Sequence, residues 1–132
     1  MNIEKNVTIG QGAVATTSVP RLKAGQVYTV YDLLYPLLQE SSNEAGNALA
    51  QALGQNYFVG LMNKKARSIG MTGATFVDPS GVSGANVATT IDLFRLGKYL
   101  YNSRQFILNL TAGTAKTNVY GLPKFSNLEN LN

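Results

Sequence analysis

Ser41, Ser42 and Asn43 are the residues of this 132-residue chain whose types and spacing suggest chemistry. A serine and an asparagine two positions apart can present a hydroxyl and a carboxamide to one cleft, the first to relay a proton and the second to hold a substrate amide. Alone, the pattern is weak: eight serines and thirteen asparagines produce about one such triplet by chance, and one is found. The structural alternative is that Ser42 or Asn43 caps a following helix. A further serine lies in Asp78-Pro79-Ser80-Gly81. Every residue there favours a turn and no base candidate accompanies it, so this segment reads as a turn and not as a nucleophile.

The chain contains no Cys, His or Trp, which removes thiol nucleophiles, disulfides, imidazole bases and the usual zinc sites together. Catalysis would fall to Ser, Thr, Tyr, Lys, Asp or Glu. Eleven Lys and Arg against seven Asp and Glu give a net charge of +4. The cations are scattered, and the one tight group, Lys64, Lys65 and Arg67, falls on a single predicted helix. It reads as a solvated helix face, and no nucleic-acid partner is expected. The length suits one domain, with 45% hydrophobic residues to build a core. No run of eighteen apolar residues occurs, and residues 1–12 lack the charged-then-apolar order of a signal peptide, so the chain reads as soluble with no signal or anchor.

The elements that must position these residues follow from periodicity. Residues 1–28 read as a short β entrance, with extended runs at Val7-Thr8-Ile9, Ala13-Val14-Ala15 and Leu22 to Tyr28 punctuated by glycines. Val30, Leu33, Leu34, Leu37 and Leu38 then follow a helical spacing, with Thr29 as cap and Asp32 in the first turn. Pro36 predicts that this helix is short or kinked. A second helix starts near Asn43 on an alanine-rich face that permits close backbone approach, which places it at the centre of a cluster, and Gly54 is its stop. A third runs through Phe58, Leu61, Met62, Ala66 and Ile69 to Gly70. A strand-like stretch at Thr75-Phe76-Val77 leads into the turn, Thr89 or Thr90 caps a fourth helix through Leu93, Leu96 and Leu100, and residues 104–110 suggest a short fifth. The expected organisation is a β entrance at 1–28, a helical subdomain at 29–110 and a polar tail at 111–132 that is weakly ordered or depends on a partner.

The stretch Leu22-Lys23-Ala24-Gly25 through Tyr31-Asp32-Leu33-Leu34, continued by Ser41-Ser42-Asn43-Glu44-Ala45 and Asn47-Ala48-Leu49-Ala50, resembles the low-molecular-mass penicillin-binding proteins, the serine-type D-alanyl-D-alanine carboxypeptidases. Leu61-Met62-Asn63, Ile69-Gly70-Met71-Thr72, Asp78-Pro79-Ser80-Gly81 and the run from Thr89 to Leu96 extend the resemblance, which covers about residues 7–108. The resemblance implies an α+β, mainly α, fold: the helical-cluster subdomain of the penicillin-binding and serine β-lactamase-like fold, with a short N-terminal β hairpin and the main sheet missing.

In that family a Ser-x-x-Lys pair supplies the nucleophile and the lysine that activates it, a Ser-x-Asn motif shares proton transfer and holds the substrate, and a Lys-Thr-Gly strand docks the terminal carboxylate. A desolvated lysine base suits a chain without histidine. Only the middle motif maps onto this sequence, with Ser41 as the relay hydroxyl and Asn43 as the substrate-orienting carboxamide. None of the eight serines is followed three residues later by Lys, so the chain carries no nucleophile or general-base lysine motif. Lys116-Thr117 is followed by Asn118, and Lys116 reads as a solvated tail lysine. The resemblance thus implies an internal piece of an extracytoplasmic enzyme that acts on peptidoglycan stem peptides and is acylated by β-lactams, needs no metal or organic cofactor, and is inactive alone. The alternatives are an endopeptidase or β-lactamase of the same superfamily, or a non-catalytic peptide-binding module. Self-association through an exposed subdomain face is also expected.

Overall fold

The computed structural model describes residues 2–15, 21–115, 121–125 and 128. Two strands, β1 (Asn6–Thr8) and β2 (Val27–Thr29), pair antiparallel with Val7 opposite Tyr28. Between them lies a one-turn helix, α1 (Gln11–Val14). Four longer helices follow, α2 (Val30–Gln39), α3 (Asn43–Gln51), α4 (Gln55–Ser68) and α5 (Thr90–Ser103), and then α6 (Gln105–Thr111). The fold is mainly helical with one small sheet, as expected.

The caps explain where two of these helices start. Thr29 accepts a hydrogen bond from the Asp32 amide at 3.0 Å, and the Asp32 carboxylate accepts from the Thr29 amide at 3.0 Å, a reciprocal pair that satisfies two donors the helix leaves open. Thr89 and Asp92 repeat the arrangement on α5, which selects Thr89 over Thr90 as the cap. Pro36 lies inside α2, which is ten residues long. Helix α3 stops at Gln51, short of Gly54, and Gly54 instead precedes α4 with φ of +90°.

Helix α3 is central: it packs on α1, α2, α4 and β1. Its Ala45, Ala48 and Leu49 join Val7, Ile9, Ala13, Leu22, Val30 and Leu33 in the main core. A fully buried leucine such as Leu33 contributes about 1.5–3 kcal/mol by leaving water. Helix α2 divides its faces, since Tyr31 and Tyr35 turn to a second core with Leu110, and Ala66, Met71 and Ala74 form a third between α4 and α5. The described part of the tail returns to α2, where the Lys124 amide donates to Asp32 at 2.9 Å and Phe125 lies 5.0 Å from the Tyr28 ring.

Two extended readings are corrected. Ala13 and Val14 belong to α1, because the turn buries Ala13 against α3 while Gly10 and Gly12 lie beside the Gln51 side chain, where a Cβ at Gly10 would come within 2.6 Å of it. Thr75 contributes only an isolated bridge to Val87, with both hydrogen bonds at 2.9 Å.

Candidate functional site

The site lies at the corner where α2 hands over to α3. The amides of Glu40 and Ser42 both donate to the Pro36 carbonyl, at 3.2 and 3.0 Å, which closes the end of α2. This closure passes through a left-handed residue, and that residue is Ser41, with φ of +55°. Among the described residues it is the only non-glycine at positive φ. Such a conformation costs a side-chain-bearing residue roughly 1–2 kcal/mol. Strain of this kind concentrates where function requires a particular geometry.

Ser42 takes the capping duty: its Oγ accepts from the Ala45 amide at 3.1 Å. The helix-cap reading is therefore correct for the middle residue, and it leaves the capping role to neither Ser41 nor Asn43. Ser41 is exposed, and Asn43 is half-buried at the first position of α3. Lys116 lies outside the described residues.

Arg21 and two glutamates frame the corner. Arg21 makes a bidentate pair with Glu40, Nε to Oε2 at 2.7 Å and Nη2 to Oε1 at 2.6 Å. Glu44, 3% exposed in the first turn of α3, accepts from the backbone amides of Arg21 and Leu22 at 2.6 and 3.3 Å. An acidic side chain at a helix N-terminus is favourable, and here it also holds the segment that returns from the β entrance.

A loop closes on the other side of α3. Gly46, one turn after Asn43, lies so near the loop backbone that a Cβ there would be 3.2 Å from the Pro79 carbonyl oxygen and 3.7 Å from Ser80 Cα. Asp78 gathers this loop. Its Oδ1 accepts from the Ser80 amide, the Ser80 hydroxyl and the Gly81 amide at 2.8, 3.0 and 2.6 Å, and its Oδ2 from the Ser83 amide and Asn86 Nδ2 at 2.8 and 2.7 Å. Burial alone would raise the Asp78 pKa, but the Ser83, Ser80 and Gly81 amides and the Ser80 hydroxyl outweigh it and hold the carboxyl well below the usual range. Asn86 also accepts from the Val77 amide, and Asn63 of α4 binds Phe76 through both its amide and its carbonyl.

Asp78-Pro79-Ser80-Gly81 is thus the turn its composition suggests, with Ser80 committed to the Asp78 carboxylate. The two glutamates, Arg21 and the Gly46 contact are not marked by any local motif. The grooves along α4 and α5, one of about 520 Å³ beside Phe58, Leu61 and Lys65 and one of about 380 Å³ beside Arg95, Lys98 and Tyr99, include no residue of the corner.

The sequence profile of the Peptidase_S11 family, D-alanyl-D-alanine carboxypeptidase, matches residues 1–129. A D-alanyl-D-alanine endopeptidase of Pseudomonas aeruginosa is 41% identical over 90 residues, covering 67% of this chain and 28% of its own length. The chain therefore spans under a third of that relative. Among solved structures, the D-alanyl-D-alanine carboxypeptidase DacD from Francisella tularensis matches with a TM-score of 0.74 and 28% identity, over 83% of this chain and 27% of that one. Penicillin-binding protein D2 from Listeria monocytogenes, solved in an ampicillin-bound form, matches with a TM-score of 0.69 and 28% identity over 84% and 46% of the two chains.

Proposed function

The chain belongs to the Peptidase_S11 family of D-alanyl-D-alanine carboxypeptidases, and from that premise we propose that it forms one wall of the active-site cleft of an acyl-serine hydrolase. The complete enzyme removes the terminal D-alanine from peptidoglycan stem peptides at the outer face of the bacterial cytoplasmic membrane. A serine supplied by the rest of the polypeptide attacks the penultimate D-alanine carbonyl; the C–O bond of the acyl-enzyme forms, the C–N bond breaks, and water then releases the acid. Ser41 passes the proton toward the departing amine, and Asn43 holds the peptide amide that fixes the carbonyl in line. β-Lactams enter the same cleft as acylating substrates. The chain alone is inactive, and the apolar residues exposed along α5 support self-association of the isolated chain.

The observation that carries this reading is the strained, exposed Ser41 set between the end of α2 and the capped start of α3. A helix cap needs only Ser42. The 41% identity to an endopeptidase favours a second reading, cleavage of an internal D-alanyl bond by the same chemistry.

The test is a pair of substitutions in the complete enzyme. Ser41→Ala should slow the chemical steps on the order of a hundredfold with little change in KM, through loss of a positioned proton relay. Asn43→Ala should lower kcat and raise KM together, because the substrate is left misplaced. Near-normal acylation and turnover in both variants would leave the motif as a helix cap and nothing more.

A further inference from the structure

We propose that Asp78 is a positioning residue for this site: its carboxylate shapes the 78–83 loop, and the loop's backbone seats α3 and so sets the orientation of Asn43. This rests on the reading of Ser41 and Asn43 above and adds to it a residue that stays out of contact with substrate. Three observations support it. Gly46 and Asn43 are three residues apart and share one face of α3. At Gly46 the helix, lacking a Cβ there, meets the Pro79–Ser80 backbone directly, with the Leu37 side chain alongside the contact. A backbone-to-backbone contact has no rotamer to absorb a shift, so a displaced loop moves the helix. The loop itself is held from within, since five donors converge on Asp78. Its two ends are fixed independently, by the Thr75 to Val87 bridge and by the hold of Asn63 on Phe76. Loop shape therefore depends on Asp78, and the seat of α3 depends on loop shape.

Two substitutions test this from opposite sides of the contact. Asp78→Asn replaces one accepting oxygen with an NH2 group that faces donors. Gly46→Ala leaves the Asp78 network intact and wedges the helix off the loop by a few tenths of an ångström. In the complete enzyme, active sites are counted by stoichiometric penicillin acylation, and the acylation rate constant is expressed per titrated site. Each variant should lose about tenfold in that rate constant, since small misplacements of reacting groups are costly, while most sites remain titratable. The double variant should lose little more than either single one, because both act through one contact. A reduced number of titratable sites with an unchanged rate per site would overturn the proposal, leaving the loop a stability element. If Asp78→Asn fails to fold, Ser80→Ala, which removes only the hydroxyl donor to Asp78, carries the same test, with a smaller loss in the rate per site expected and an unchanged rate counting against the proposal. Ser41→Ala and Asn43→Ala measured alongside separate the two levels. If they slow acylation and the loop variants do not, only the role of Asp78 fails. If they too leave it untouched, the site reading fails and the proposal with it.

Discussion

Ser41 holds a backbone conformation that its own Cβ disfavours, at the position after α2 where glycine is the usual residue. Replacing it with glycine separates function from stability. Ser41→Gly relieves roughly 1–2 kcal/mol of strain and returns roughly 0.5–1 kcal/mol to the freer unfolded chain. The variant should therefore be more stable by about 0.5 kcal/mol in urea denaturation, while losing as much catalysis in the complete enzyme as Ser41→Ala. A destabilised Ser41→Gly would mean that the serine side chain makes a stabilising contact and that its strain serves no purpose. At this scale the sequence was partly legible. The capping preference of Ser42 is visible in its type and place, whereas the roles proposed for Ser41 and Asn43 come only from the family resemblance. Glu40, Glu44 and Arg21 could not be found by pattern, because their pairing joins positions 19 to 23 residues apart.

Among the elements, Asp92 and Asp78 make the fold sensitive to acid. The Thr89 amide and hydroxyl, opposed by burial and helped by the Gly73 amide and Arg95, hold the Asp92 carboxyl below its ordinary range. Asp78 is held down as well. A carboxyl depressed in the folded state binds a proton more readily when unfolded, so its stabilisation is complete above the ordinary carboxylate value and is lost as pH falls below about 4. Asp92→Asn and Asp78→Asn should thus lower the urea midpoint at pH 7, and the gap from the unsubstituted chain should narrow between pH 4 and pH 2. A gap that stays constant down to pH 2 would show that neither charge matters to the fold. The helices with regular apolar spacing and a threonine cap were legible because those signals are local. Helix α1 was not, since four residues show no period and its burial of Ala13 depends on α3, thirty residues further on.

Over the whole molecule, the described residues form two small cores against α2 and a third on the α4 side, while α5 leaves Ile91, Leu93, Phe94 and Tyr101 largely exposed, Phe94 at 71%. The sequence holds the Ser41-x-Asn43 pair but no Ser-x-x-Lys, and the proposed reading therefore divides the chemistry between this chain and residues elsewhere in the polypeptide. The central claim is that division of labour, and mapping the acylated serine tests it most directly. The complete enzyme is treated with a penicillin, its intact mass is recorded, and the acyl group is located by peptide mass spectrometry. One acyl group per molecule should be found on a serine outside these 132 residues, with none on Ser41, Ser80 or any other serine within them. An acyl group on a serine of this segment, or an enzyme that takes up none, would contradict the account.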